Sequence, residues 1–174
     1  MESHPPQVPK VIGHRGGAGH APENTIASLK MAAALGARWV EFDVKLAATG
    51  EPILFHDDTL DRTTDGKGPV ADMSLAGLRN LDAGKWYQAR FAGERIPTLD
   101  EALVGLARRG RGANVEIKPC PGRERETGET TAQALASIRE ALSGEVKDWE
   151  VPYSAASFAF SAKLENRADA MSWI

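Results

Sequence analysis

The segment from Arg38 to Leu46 reads Arg-Trp-Val-Glu-Phe-Asp-Val-Lys-Leu, and it constrains the fold more than any other stretch. Side chains along a strand alternate between its two faces. Val40, Phe42, Val44 and Leu46 therefore share one face, and Trp39, Glu41, Asp43 and Lys45 the other. The first face is apolar and suits burial under helices. The second sets two carboxylates two residues apart, about 7 Å along the strand, where the flanking residues are apolar enough for burial. Unpaired carboxylates in such a place are costly, so the pair demands a cation.

The neighbouring segments place this strand in an alternating pattern. Val11 to Gly16 is a short apolar run ending in glycine, which reads as a buried strand feeding a loop. Asn24 or Thr25 then caps a helix carrying Ile26, Leu29, Ala33 and Leu35, and Gly36 ends it. Strand, helix and strand make a βαβ unit and so a parallel sheet. Pro52 to His56 is a third short strand. Residues 57–93 are rich in turns, with a small helical piece near Leu75 to Leu81, and a stretch of that kind suggests an insertion over a site. Thr98 caps a helix running to about Arg108, Ala113 to Lys118 is a strand, Thr130 to Leu142 a helix, and Val151 to Phe160 the place of one more strand. The expected class is α/β, either an eight-stranded barrel or an open doubly wound sheet. A barrel of this type needs about 250 residues, and 174 residues are too few to close one.

The strand Asn114-Val115-Glu116-Ile117-Lys118 repeats the alternation, with Asn114, Glu116 and Lys118 on one face. Any one of Glu41, Asp43 and Glu116 alone reads more simply as the partner of a Lys or Arg. Three in phase on core strands read as a metal site, and hard oxygen ligands without cysteine suit Mg²⁺ or Ca²⁺ better than zinc. His14 and His56 fall near strand ends, where parallel α/β folds place their sites, and could supply the acid and base of a hydrolysis. Arg15 adds a planar donor fork suited to phosphate. His4 and His20 are given no catalytic role.

Composition removes several alternatives. A net charge of −3 offers no basis for binding a nucleic-acid backbone, and the cluster Arg108, Arg109 and Arg111 reads as a solvated turn. The single cysteine, Cys120, excludes an internal disulfide and fits a reducing compartment, packed and inert between two prolines. No apolar run is long enough to span a membrane, and Met1 to Lys10 lacks the apolar core of a signal peptide, so a cytoplasmic protein is expected.

Taken together, His14-Arg15-Gly16, Pro22-Glu23-Asn24-Thr25, Glu41-Phe42-Asp43-Val44, His56-Asp57 and Glu116-Ile117-Lys118-Pro119 resemble the glycerophosphodiester phosphodiesterase family. Arg62-Thr63-Thr64-Asp65-Gly66, Leu81-Asp82-Ala83-Gly84 and Ile96-Pro97-Thr98-Leu99 match further family signatures in order and spacing. The match spans about residues 10 to 125 and is closest to the bacterial cytoplasmic branch. It implies a TIM barrel, (β/α)8-type and incomplete here, in which residues 1–174 form a single domain with a small insertion (57–93) after the second strand. It implies that Glu41, Asp43 and Glu116 hold a divalent metal, Mg²⁺ or Ca²⁺. His14 and His56 would act as general base and acid, Arg15 would bind the phosphate, and Lys118 would sit beside it. Family members cleave small glycerophosphodiesters to glycerol 3-phosphate and an alcohol. In the family's proposed mechanism the metal polarises a phosphoryl oxygen and orients the glycerol hydroxyl, while one histidine takes a proton and the other gives one.

After about Val151 the family pattern predicts a Ser-Ser-Phe-Ser-like strand; Ser154-Ala155-Ala156-Ser157-Phe158 matches it only loosely, and Ser161 to Ile174 matches no family segment. Two other readings stand beside the hydrolase. One is a truncated, non-catalytic remnant that self-associates or binds a partner through open sheet edges. The other is a related barrel of the phosphatidylinositol-phospholipase or sphingomyelinase-D type, which the absence of a secretion signal and of paired cysteines disfavours.

Overall fold

The structure, a computed structural model, describes residues 9–144 and 153–154. Its centre is a parallel sheet of β1 (Ile12–Gly13), β2 (Trp39–Leu46), β4 (Gly112–Ile117) and β5 (Tyr153–Ser154), adjacent in that order. A further strand, β3 (Pro52–Leu54), runs antiparallel to β2. Helix α1 (Ile26–Ala34) connects β1 to β2, α3 (Leu99–Ala107) leads into β4, and α4 (Glu124–Leu142) follows it; α2 is the short helix Leu75–Leu78. This is an α/β fold whose sheet forms part of a barrel-type wall.

The register decides which edges of β2 are used. β1 pairs Trp39 and Val40, β4 pairs Trp39 through Val44, and β3 pairs Val44 through Leu46. β1 and β4 compete for the same residues and so lie on opposite edges. β3 overlaps β4 at Val44, which puts it on the β1 edge, beyond the end of β1. Sequence reasoning predicts a strand through His56; the observed strand stops at Leu54, and the Phe55 N–H donates to the Asp43 carbonyl (3.0 Å). The hairpin thus brings His56 back to the level of Asp43.

Helix α1 begins where the sequence places it, and the structure decides between the two caps offered, Asn24 and Thr25. Thr25 is the cap, its hydroxyl accepting the Ser28 N–H at 3.2 Å, while Asn24 is turned elsewhere. Its buried stripe is Ser28, Leu29 and Ala32; Leu35, expected on that stripe, lies past the helix end and is 60% exposed. Gly36, at φ +89, ends the turn. Helix α3 carries the reciprocal capping box of Thr98 and Glu101. Helix α4 starts six residues' worth of polar sequence earlier than Thr130, at Glu124. Its buried positions Thr127, Thr131, Leu135, Ile138 and Leu142 keep a helical period, but the first two are threonines, so an apolar pattern does not reveal them.

The helices cover one face of the sheet. Val40, Phe42, Val44, Ala113 and Val115 pack against Leu29, Leu103, Leu106, Leu135 and Ile138 in the main core. Burying each large side chain there is worth about 1.5–3 kcal/mol. A second cluster forms under residues 57–93: Ile53, Phe55, Leu60, Val70, Leu78, Ala83 and Ile96, with Cys120 packed among them. The turn-rich stretch is therefore organised around its own apolar centre. Burial raises the Cys120 thiol above its ordinary value, in keeping with an inert residue. Of the strand expected at 151–160, Tyr153 and Ser154 are seen paired with Val115 and Glu116; its other residues, Ser161 to Ile174 and His4 lie outside the described residues. Among the described residues no helix is long and apolar enough to cross a membrane.

Candidate active site

All eight residues of β2 are buried, including the polar face. The parallel register sets Asp43 directly opposite Glu116 and Glu41 opposite Asn114. One ligand atom from each of Glu41, Asp43 and Glu116 lies within 4.8 Å of the others. Glu41 is 7% exposed and Asp43 1%. Two oxygens of this cluster, Glu41 Oε1 and Asp43 Oδ1, are buried without a hydrogen-bond donor. Such oxygens are expensive to leave bare. Their convergence with Glu116 fits a hard divalent cation with oxygen ligands.

Two cations flank the cluster. Lys118, on the continuation of β4, donates to Glu116 Oε1 at 2.7 Å and lies 3.5 Å from Asp43 Oδ1. Arg15 donates its backbone N–H to Glu41 Oε2 (2.7 Å), and its Nε stands 3.4 Å from Asp43 Oδ2. The salt-bridge alternative is thus realised for Glu116 and partly for Asp43, but three carboxylates still outnumber two cations. Burial pushes Glu41 up to about 7; the Arg15 N–H opposes this, and the charges of Asp43 and Glu116 add to it. Burial also works against the charged form of Lys118, yet Glu116 and Asp43 outweigh it and raise that group.

The loop after β1 supplies the other groups. His14 Nε2 stands 4.0 Å from Glu41 Oε2, with its side chain 71% exposed. Arg15 and Asn24 take positive φ (48 and 54), and the Gly16 N–H donates to the Glu41 carbonyl at 3.0 Å. Asn24 clamps Asp43: its amide donates to Oδ2 (2.9 Å), and its oxygen accepts the Asp43 N–H (3.2 Å). His56 is linked to this group through a chain of charges. Its Nδ1 is 2.7 Å from Asp57 Oδ1; Arg62 holds both Asp57 and Glu23; and Glu23 accepts from Arg15 Nη1 at 2.8 Å. On the same polar face of β2, buried Lys45 donates to Asp58 Oδ1 at 2.7 Å and fixes the turn after His56.

Every residue singled out from the sequence falls in or beside this one region: the three carboxylates, Arg15, Lys118 and His14 by direct approach, His56 through Asp57, Arg62 and Glu23. Sequence reasoning gave no role to Asn24 beyond capping, nor any to Glu23, Asp57 or Arg62. Their signal was present only as family signatures, because the pairing of Arg62 with Glu23 crosses 39 positions of chain.

A parallel α/β sheet with an acidic cluster, two flanking cations and two histidines at strand ends defines a barrel-type candidate hydrolase. The chain belongs to the glycerophosphoryl diester phosphodiesterase family, whose model matches residues 14–171. A glycerophosphodiester phosphodiesterase of Caldanaerobacter subterraneus is 47% identical over 108 residues, 62% of this chain and 44% of that protein. An Oleispira antarctica phosphodiesterase, solved in complex with the product sn-glycerol-3-phosphate, superposes with a TM-score of 0.80 at 43% identity, covering 86% of this chain and 58% of that one. The glycerophosphodiester phosphodiesterase of Agrobacterium tumefaciens gives a TM-score of 0.69 at 37% identity, covering 86% and 59%. The chain spans about half the length of the curated relatives it matches.

Proposed function

We infer that this chain carries a divalent-cation site and acid–base pair for hydrolysing glycerophosphodiesters to glycerol 3-phosphate and an alcohol. The observation that carries the reading is the meeting of Glu41, Asp43 and Glu116 within 4.8 Å, with two buried oxygens that accept no hydrogen bond and with Arg15 and Lys118 alongside. Carboxylates alone would repel a phosphodiester; carboxylates that hold a cation between an arginine and a lysine would attract one. The complex of the Oleispira relative with sn-glycerol-3-phosphate supports the same substrate class.

Glu41, Asp43 and Glu116 would hold Mg²⁺ or Ca²⁺, which when bound supplies Lewis-acid polarisation of a phosphoryl oxygen. Arg15 and Lys118 would bind the remaining phosphate oxygens and hold the diester in line. His14, beside Glu41 and open to solvent, would take the proton of the attacking hydroxyl. His56, its Nδ1–H held by Asp57, turns Nε2 toward the substrate, and as the imidazolium it would give the Nε2 proton to the departing alcohol. Residues 57–93 would form the insertion that shields this chemistry. A cytoplasmic setting agrees with the lone buried Cys120.

Isothermal titration with Mg²⁺ and Ca²⁺, paired with a coupled glycerol 3-phosphate assay on glycerophosphocholine and glycerophosphoethanolamine, tests this reading. Saturable cation binding that Glu41→Gln weakens at least tenfold is expected, with cation-dependent product release. Equal binding by that variant removes the metal site. Cation binding without product release at any concentration leaves a non-catalytic remnant in place of the enzyme.

A further inference from the structure

Arg62 has a contact pattern that stability does not explain. Its Nε and Nη2 donate to Asp57 (2.7 Å to Oδ2, 2.9 Å to Oδ1), and its Nη1 and Nη2 donate to Glu23 (2.9 Å to Oε2, 2.7 Å to Oε1). Each carboxylate also serves a second group through the oxygen that Nη2 touches. Asp57 Oδ1 lies 2.7 Å from His56 Nδ1, and Glu23 Oε1 accepts from Arg15 Nη1 at 2.8 Å. A single nitrogen therefore bridges the oxygen that holds a histidine and the oxygen that holds an arginine. Arg62 is 45% exposed, and ion pairs at such places contribute little to folding. A double fork that joins residue 62 to the loop after β1 at residue 23 is a device for fixing orientation.

We propose that Arg62 is a positioning residue that sets His56 and Arg15 in a common frame through Asp57 and Glu23. With Asp57 ionised, His56 must donate from Nδ1, so that Nδ1 carries the proton in the neutral ring and Nε2 keeps the lone pair. Arg62 immobilises the accepting oxygen by binding both oxygens of that carboxylate. The same guanidinium immobilises Glu23, which aims the Arg15 fork. Asp57 and Glu23 are both held below their ordinary values: in Asp57 the Arg62 contact leads, and in Glu23 burial acts the other way but is outweighed by Arg62 and Arg15. Both carboxylates are thus charged acceptors across the neutral range. Lysine cannot replace this arrangement, because its donors radiate from one atom and cannot form two parallel forks.

The effect on turnover rests on the hydrolase reading given above, whereas the geometry of His56 does not, and the experiment separates the two. Nitrogen-15 NMR of the imidazoles in the full chain, assigned with a His56→Asn control, reads the tautomer of His56. The unsubstituted chain should hold His56 almost wholly as the Nδ1–H form. Arg62→Gln and Arg62→Lys should each raise the Nε2–H share several-fold, and Asp57→Asn should abolish the preference. In the coupled assay, kcat of both Arg62 variants should fall on the order of 10-fold. Circular dichroism identifies which variant is folded, and either one suffices. An unchanged tautomer in a folded Arg62 variant overturns the proposal even if hydrolysis proceeds. A shifted tautomer supports it even if no variant, nor the unsubstituted chain, hydrolyses a diester, a result that would instead end the hydrolase reading.

Discussion

Arg15 and Asn24 reach the same oxygen, Oδ2 of Asp43, from the two ends of one loop: Arg15 Nε lies 3.4 Å away and the Asn24 amide donates at 2.9 Å. The Asn24 N–H also donates to the Arg15 carbonyl at 3.1 Å, so each residue steadies the other. They are the two non-glycine residues with positive φ among the described residues. Left-handed backbone of this kind costs on the order of 1–3 kcal/mol at a non-glycine residue. The strain is concentrated where two donors must face one buried carboxylate.

Asn24→Ala should lower stability by about 1–3 kcal/mol, since Asp43 loses both a donor to its side chain and an acceptor for its N–H. Asn24→Gly loses the same hydrogen bonds but accepts positive φ, and should be more stable than the alanine variant by about 0.5–1 kcal/mol. Denaturant unfolding measures both. An alanine variant as stable as the unsubstituted chain would show that the clamp on Asp43 contributes nothing.

Lys118 competes with any cation for the charge of Glu116 and Asp43, at 2.7 and 3.5 Å. Coulomb attraction over such distances amounts to several kcal/mol at an effective dielectric of about 20. Lys118→Met should therefore tighten Mg²⁺ or Ca²⁺ binding several-fold in isothermal titration, while Glu116→Gln weakens it. Weaker binding by Lys118→Met would mean that the lysine holds the carboxylates in place instead of opposing the cation.

The ion pairs of Arg62 should make stability depend on pH in a set direction. Glu23 and Asp57 have folded values below their ordinary 4.5 and 3.8. Depressed carboxyl values contribute stability that is complete above the unfolded values and lost as pH falls through the folded ones. Because Arg62 is half exposed, the gap in Tm between the unsubstituted chain and Arg62→Gln should be small, but widest near neutral pH and closing progressively below about pH 4. Thermal melts at several pH values check this; a gap that widens in acid would contradict the sign.

Val11 and Leu35, 72% and 60% exposed, line one groove with Gly13, Ala32 and Ala37. The groove runs beside β1, whose far edge has no strand partner among the described residues. An unpaired edge next to apolar surface is a template for another chain. Size-exclusion chromatography with light scattering should find the chain larger than a monomer, and Val11→Lys with Leu35→Glu should shift it toward one. A monodisperse monomer before substitution would rule this association out.

Much of the candidate site is legible in the sequence, because period-two alternation puts Glu41 with Asp43 and Glu116 with Lys118 on shared faces whatever the fold around them. The start of α1 and the capping box of α3 were legible for a similar reason, being set by side chains within four residues of the backbone they satisfy. The first turns of α4 were not, since buried Thr127 and Thr131 carry no apolar signal. Asn24 and Thr25 are equal candidates for the cap in the sequence, because a cap and a long-range clamp place the same demand on it, a short polar side chain before a helix. Only the position of Asp43 decides between them.

By itself, the sequence determined the order of most strands and helices, the polar face of β2 and β4, and the chemical kinds of group available, because these depend on local periodicity and capping. Tertiary structure alone decided three things. The parallel register set Asp43 opposite Glu116, so that carboxylates from two strands share one space. The fold-back of β3 onto the free end of the β2 edge returned His56 to the level of Asp43. The packing of residues 57–93 over their own core brought Arg62 within reach of Glu23. Each of these joins residues far apart in the chain, and the free energy that selects such a pairing comes from burial summed over the whole domain, which no local window of sequence contains.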